Sequence, residues 1–246
     1  MSHGPMKRPE PPDMHEKGAS RGEEPQLLDR RLFVQVQVFT GATEADDCDA
    51  IAAAVEESTL PLVLYQDVTD PFGFGLVSVA EDPAFFVNEY RDFIINSTFS
   101  ELEFMPEMSM IGRTYGSGRE ADLQSWLLDH VPNRLTDDNS EFAIWYPLKR
   151  KPGFYVLEGR EVGMMMAEHG MLGRSYGESG LAADIRLKSF GLDRQDNEFV
   201  IGLVGKDLHP LSRLVEDMRV TRQTSEWMES LGPFFVGKRL AMGDFN

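Results

Sequence analysis

One cysteine in 246 residues, Cys48, leaves the chain without the means for an intramolecular disulfide or a cysteine-built metal cluster, and points to a reducing, cytoplasmic setting. No stretch reaches the roughly eighteen consecutive apolar residues that span a bilayer. The N-terminal segment also lacks the apolar core of a secretory signal, so no membrane partner is expected. Basic residues are short: 24 Lys and Arg stand against 41 Asp and Glu, a formal charge of -17. Such a surplus repels a phosphate backbone, and nucleic acid is not an expected partner. The surplus reads as a solubility device and says little about the substrate.

Residues 1–28 are poor in large apolar side chains and rich in Pro, Gly, Glu, Lys and Arg. They bury too little to offset the entropy of ordering, and are expected to form a disordered tail. Order is expected from Leu32, where LFVQVQVF alternates with the period of a half-buried strand. Thr43 or Asp46 then caps a helix to about Glu57. LPLVLYQDV and FGLVSVA read as strands reversed at DPFG, Pro83 opens a second helix, and FMPEMSMIG reads as a fourth strand. Strand, helix, strand, strand, helix, strand is the split βαβ order of a ferredoxin-like unit, placed at 29–113.

A linking segment, 114–140, carries a short helix around ADLQSWLLDHVP. The same element order then returns over 141–246: FAIWYPLKRK, the helix 158–176, DIRLKSF, EFVIGLVG, a helix through LHPLSRLVEDMRVTRQTSEWM, and a closing strand PFFVGKRLAM. The expected fold class is therefore α+β, two ferredoxin-like halves whose sheets join face to face or edge to edge.

The helix 158–176 places Val162, Met165, Met166, His169, Leu172, Gly173 and Tyr176 on one face, the stripe of a helix packed on a core. Periodicity alone reads His169 as a hydrogen-bonded core histidine. His130 shares a similar stripe with Leu123, Trp126 and Leu127. Its place just before Pro132 reads as a helix's last turn, where the dipole favours a histidine without any metal.

Four landmarks decide between the readings of His169. Tyr146-Pro147-Leu148, the run His169-Gly170-Met171-Leu172-Gly173-Arg174 with Tyr176, Phe190-Gly191-Leu192-Asp193 before Glu198-Phe199, and Gly232-Pro233-Phe234-Phe235-Val236-Gly237-Lys238 make the segment from Trp145 to Lys238 resemble the chlorite dismutase family, which includes the coproheme decarboxylases. The resemblance implies a dimeric α+β barrel fold and one haem b or iron coproporphyrin III per chain. It also implies a homo-oligomer, commonly a pentamer.

By that resemblance His169 falls on the iron ligand, with Met166 and Leu172 packing beside the tetrapyrrole. Tyr146 matches the tyrosine that relays oxidation to a porphyrin propionate. Arg150 replaces the family's lysine, and with Lys149 offers cations for a propionate. The distal position, arginine in chlorite dismutases and often glutamine in decarboxylases, is Asp184, and Arg186 shares its strand face. Arg222 stands where a glutamate usually accepts the proximal histidine's other N–H, which leaves a backbone carbonyl or Glu226 as substitute acceptors. Peroxide-driven decarboxylation of iron coproporphyrin is the leading expectation. Chlorite decomposition to chloride and dioxygen, and a non-catalytic haem sensor or carrier, are the alternatives.

Overall fold

The computed structural model describes residues 11–22 and 24–245. Strands β1 (Glu16–Arg21) and β2 (Glu24–Leu28) pair antiparallel as a separate two-stranded sheet. This corrects the expectation of a disordered tail over 16–28, while residues 1–10 lie outside the described residues. Apolar burial is indeed slight there, and polar contacts replace it. The Gln26 carboxamide donates to the carbonyls of Ala19 and Glu120 and accepts from Leu123 N, and the Glu16 carboxylate takes Arg113 Nη1 at 2.7 Å and Gly116 N at 3.0 Å.

The first half contains β3 (Phe33–Thr40), α1 (Ala45–Glu56), β4 (Leu62–Asp67), β5 (Phe74–Ala80), α2 (Glu89–Asn96), a two-residue β6 (Glu103–Phe104) and β7 (Met110–Arg113). Helix α1 opens at Glu44, whose side chain and that of Asp47 cap each other's backbone N–H, rather than at Thr43 or Asp46. Pro83 begins a 3-10 turn over Pro83–Val87, and α2 follows it. The connecting segment winds as a π-helix over Ser125–Asp129 and then as α3 (His130–Thr136). His130 therefore lies within a helical run over 123–136 and not in its last turn. Pro132, which has no N–H to give, follows closely on that π turn, where the regular helical hydrogen-bond ladder is already interrupted.

The second half contains β8 (Phe142–Arg150), α4 (Gly159–Glu178), β9 (Ala183–Lys188), β10 (Phe199–Gly205), α5 (Leu208–Arg219), α6 (Arg222–Trp227), β11 (Met228–Leu231) and β12 (Phe235–Met242). The strands of both halves join edge to edge. The order β10-β9-β7-β3-β5-β4-β12-β8 returns on itself through a β8–β10 pairing, so the sheet closes into a barrel. Its two seams are unequal: β4 and β12 are paired from Gly237↔Asp67 to Met242↔Val63, whereas β7 and β9 share the single pair Arg113↔Lys188.

Strand alternation fills this barrel. Val34, Val36 and Val38 of β3, Val77 and Val79 of β5, Ile185 and Leu187 of β9, and Trp145 and Phe235 point inward and are buried. Trp145 lies over its cross-strand partner Gly202, where a Cβ would come within 2.6 Å of the indole. Glycine at that position is a packing requirement. Two further cores cover the outer surface, one under α1 and α2, the other between α4, α5 and the outward side chains of β8 and β10, including Ile144, Tyr146, Leu148 and Leu203. The candidate site lies in this last layer.

Candidate functional site

Helix α4 presents its stripe as the spacing predicts: Met165 is buried, Met166, His169, Leu172, Gly173 and Tyr176 are half-buried, and Glu168, Arg174 and Ser175 are exposed. Tyr176 Oη donates to Asp217 of α5 at 2.6 Å, pinning the two helices together. His169 is thereby held over the outer face of the sheet, where one cavity is lined by His169, Met166, Tyr146, Leu148, Arg150 and Arg186, with Tyr115, Phe199 and Gln223 among its other walls.

The tautomer of His169 follows from its hydrogen bonds. Its Nδ1 lies 3.2 Å from Thr221 Oγ1, and that hydroxyl gives its own proton to Met218 O at 2.8 Å. Thr221 is then the acceptor, Nδ1 carries the hydrogen, and Nε2 keeps a free lone pair. Burial, and then the nearby guanidinium groups of Arg150 and Arg186, lower the His169 pKa to about 4, so the ring is neutral near pH 7. Neither Arg222 nor Glu226 is the partner: Arg222 is ion-paired to Glu161 at 2.6 Å and to Glu226 at 3.0 Å. The Thr221 hydroxyl fills the place that the residue pattern leaves to a carbonyl or Glu226.

Tyr146 is 7 % exposed and stacks on Phe234, ring centroids 4.6 Å apart. Burial, reinforced by Asp184, raises its pKa, so the phenol keeps its proton. Two positions on, β8 presents Leu148 and then Arg150 on the same face. The Arg150 guanidinium is clamped between the rings of Phe154 and Phe199, 4.5 Å from each centroid, and its Nε is buried without a partner. Lys149 alternates to the other face of β8 and pairs with Asp196 at 2.6 Å, so the structure does not bring it to the cavity. Leu172 packs against the core beneath α4 but does not line the cavity.

Opposite His169, Asp184 and Arg186 point outward from β9 and pair at 2.8 Å. Of the two, Arg186 lines the cavity; it also lies over the Trp126 ring, 5.2 Å from the centroid. Trp126 donates to Tyr115 O and stacks on His130, 4.3 Å between centroids, whose Nε2 donates to the Asp184 carbonyl at 3.1 Å. His130 is thus a neutral bracing residue, its pKa lowered mainly by burial.

Residues 75–240 match the family model described as chlorite dismutase. The chain belongs to the chlorite dismutase family. It is 24% identical over 212 residues to the coproheme decarboxylase of Mycolicibacterium smegmatis, covering 82% of this chain and 84% of that one. Among solved structures it resembles a heme-binding protein from Thermus thermophilus (TM-score 0.67, 20% identity, 85% of this chain and 91% of the other). A variant of chlorite dismutase from Candidatus Nitrospira defluvii gives a TM-score of 0.62 at 13% identity, again over 85% and 91% of the two chains. These likenesses establish the ferredoxin-like α+β fold.

In this member of the chlorite dismutase family the donor set suits an iron tetrapyrrole. Among the described residues no group of three or more His, Cys, Asp or Glu is placed to hold a metal ion. A single imidazole with a bare Nε2 instead suits an iron whose other in-plane ligands come from a macrocycle. The charged residues of the cavity wall, Arg150 and Arg186, are both cations in a chain of formal charge -17, which favours a ligand with carboxylates. Orphaned Arg150 Nε and Gln223 Oε1 offer further polar contacts. The free space is about 90 Å³. Ligand pockets typically offer about 300–1,000 Å³, so a macrocycle enters only as surrounding side chains move apart.

Tyr115, Thr221 and Gln223 carry no signal in the sequence that marks them as site residues. Tyr115 follows β7 directly and reads as linker, and Thr221 and Gln223 read as interior positions of one long helix. That helix breaks: Val220 ends α5, and α6 restarts at Arg222. The break lets Thr221 and Gln223 turn toward α4.

Proposed function

We propose that this protein is a haem-dependent oxidoreductase that uses peroxide to decarboxylate iron coproporphyrin III to haem b, one tetrapyrrole per chain. One observation carries the reading: a buried, protonated Tyr146 and a neutral His169 with a free Nε2 line the same cavity. His169 would hold the iron through Nε2, its ring oriented by Thr221. When bound, the iron tetrapyrrole supplies the redox chemistry that peroxide drives. Tyr146 can give up its phenolic hydrogen within a wall that excludes water, with Phe234 stacked against the ring. Arg150, fixed by two aromatic faces, offers a cation to a propionate carboxylate without spending rotamer freedom on binding. The 24% identity to a coproheme decarboxylase supports the family in which this reaction occurs.

The deciding experiment loads the protein with iron coproporphyrin III, adds hydrogen peroxide in small increments and follows products by mass spectrometry. Loss of carbon dioxide from the propionates supports the proposal. Binding followed only by bleaching overturns it and leaves a haem carrier or sensor.

Arg186 favours a second reading, chlorite decomposition to chloride and dioxygen, because a cation at the cavity wall retains an anionic substrate. Its pairing with Asp184 at 2.8 Å offsets part of that charge. Dioxygen release from chlorite on an oxygen electrode, lost in Arg186→Ala, would establish it. Assembly as a homo-oligomer, a pentamer by family resemblance, and a cytoplasmic location belong to the same proposal. No helix among the described residues is long and apolar enough to cross a membrane.

A further inference from the structure

We propose that Gln223 is a specificity-determining residue of the cavity, which together with Arg150 holds a carboxyl substituent of the tetrapyrrole; this rests on the haem reading above. Gln223 is the second residue of α6 and only 3 % exposed. Its Oε1 is buried with no hydrogen-bond partner, although it lines the same cavity as His169, Tyr146 and Arg150. Burying an unpaired amide oxygen carries a desolvation cost that leucine or methionine of similar size avoids. An interior packing role therefore does not explain glutamine here. A ligand that completes its hydrogen bonds does.

The neighbouring groups define that ligand. Arg150 Nε is also buried and unpartnered, and its guanidinium is immobilised between Phe154 and Phe199. The cavity thus combines an unpaired guanidinium N–H at Arg150 Nε and an unpaired amide oxygen at Gln223 with apolar walls at Leu148 and Met166. Their complement is a flat apolar body bearing a carboxyl group. A carboxylate accepts from the Arg150 guanidinium and from the Gln223 amide N–H. As it stands the amide offers Oε1, which accepts from a protonated carboxyl; rotation of the amide turns its N–H to the carboxylate. A neutral amide holds the acid without adding charge beside Arg150.

The test compares wild type, Gln223→Met and His169→Ala in absorbance titrations with iron coproporphyrin III, which carries carboxyls, and iron octaethylporphyrin, which has none. Thermal midpoints of the ligand-free proteins are measured alongside. Gln223→Met is expected to weaken iron coproporphyrin III binding about tenfold, to leave iron octaethylporphyrin unchanged, and to keep or raise the ligand-free midpoint. Equal affinity of wild type and Gln223→Met for iron coproporphyrin III overturns the inference while leaving the haem reading intact. So does a lowered midpoint with both ligands weakened alike, which would make Gln223 a packing residue. If wild type itself gives no Soret shift that His169→Ala removes, the haem reading fails and the inference with it.

Discussion

The Nδ1 of His169 and the hydroxyl of Thr221 lie 3.2 Å apart, and this contact decides which face of the imidazole is left for a ligand. A threonine hydroxyl is a weaker acceptor than a carboxylate, so the ring is oriented but not pushed toward imidazolate. Thr221→Val should leave Nδ1–H unpaired and weaken iron tetrapyrrole binding about tenfold, whereas Thr221→Ser should retain it. A Soret titration of the three proteins checks this. Equal affinities would show that Thr221 does not position the ring.

Acid stability follows from the same histidine. Its pKa is about 4 in the folded chain against an ordinary 6.5, so between these values the unfolded state binds the proton and the folded state resists it. Stability of the ligand-free protein should be insensitive to this group above pH 6.5 and decline as pH falls from 6.5 toward 4, by at most roughly 3 kcal/mol. Arg150 and Arg186 press in this direction, and Asp184 and Glu168 against it. Urea midpoints of wild type and His169→Gln at about pH 7.5 and about pH 5, on either side of the ordinary histidine value, test the point: the variant should lose less on acidification.

Tyr146→Phe keeps the ring that stacks on Phe234 and removes only the hydroxyl. The variant should fold, bind iron coproporphyrin III within about threefold of wild type and release no carbon dioxide on peroxide addition, since loss of one net hydrogen bond changes affinity little. Mass spectrometry of the extracted tetrapyrrole gives the answer; retained decarboxylation would remove Tyr146 from the reaction.

Inside the barrel, Gly202→Ala would push a methyl group to within 2.6 Å of Trp145. Because Trp145 is fully buried and cannot swing aside, the substitution should destabilise the chain by about 1–3 kcal/mol. Chemical denaturation measures this, and an unchanged midpoint would mean that the indole has space to shift.

Much of this architecture was legible because strands and helices advertise their faces at fixed periods. Val34, Val36 and Val38 alternate inward on β3, and the α4 stripe places His169 beside Met166. What stayed hidden depends on contacts distant in sequence or on polar side chains turned inward. The β1–β2 hairpin is held by Gln26 and Glu16 reaching residues 113–123, which no local pattern records. Strand β11 escapes the sequence reading, which carries the helix to Met228 and assigns no element to Glu229, Ser230 and Leu231. Gln223 is not singled out by the sequence, since nothing in a helix period marks a glutamine that turns inward. Lys149 and Arg150 are adjacent in sequence and diverge in space, because a strand sends neighbours to opposite faces.

The unequal seams of the barrel have a dynamic consequence. A ladder of one residue pair, Arg113↔Lys188, is the place where the closed sheet can breathe, and Arg186 and Tyr115 sit on either side of it. Glu16 of the hairpin staples Arg113 and Gly116 there. Amide hydrogen exchange should therefore run faster at this seam than along the β4–β12 ladder. Removing residues 1–28 should quicken it further, so that a segment far from His169 in the chain governs how readily the wall of the cavity opens.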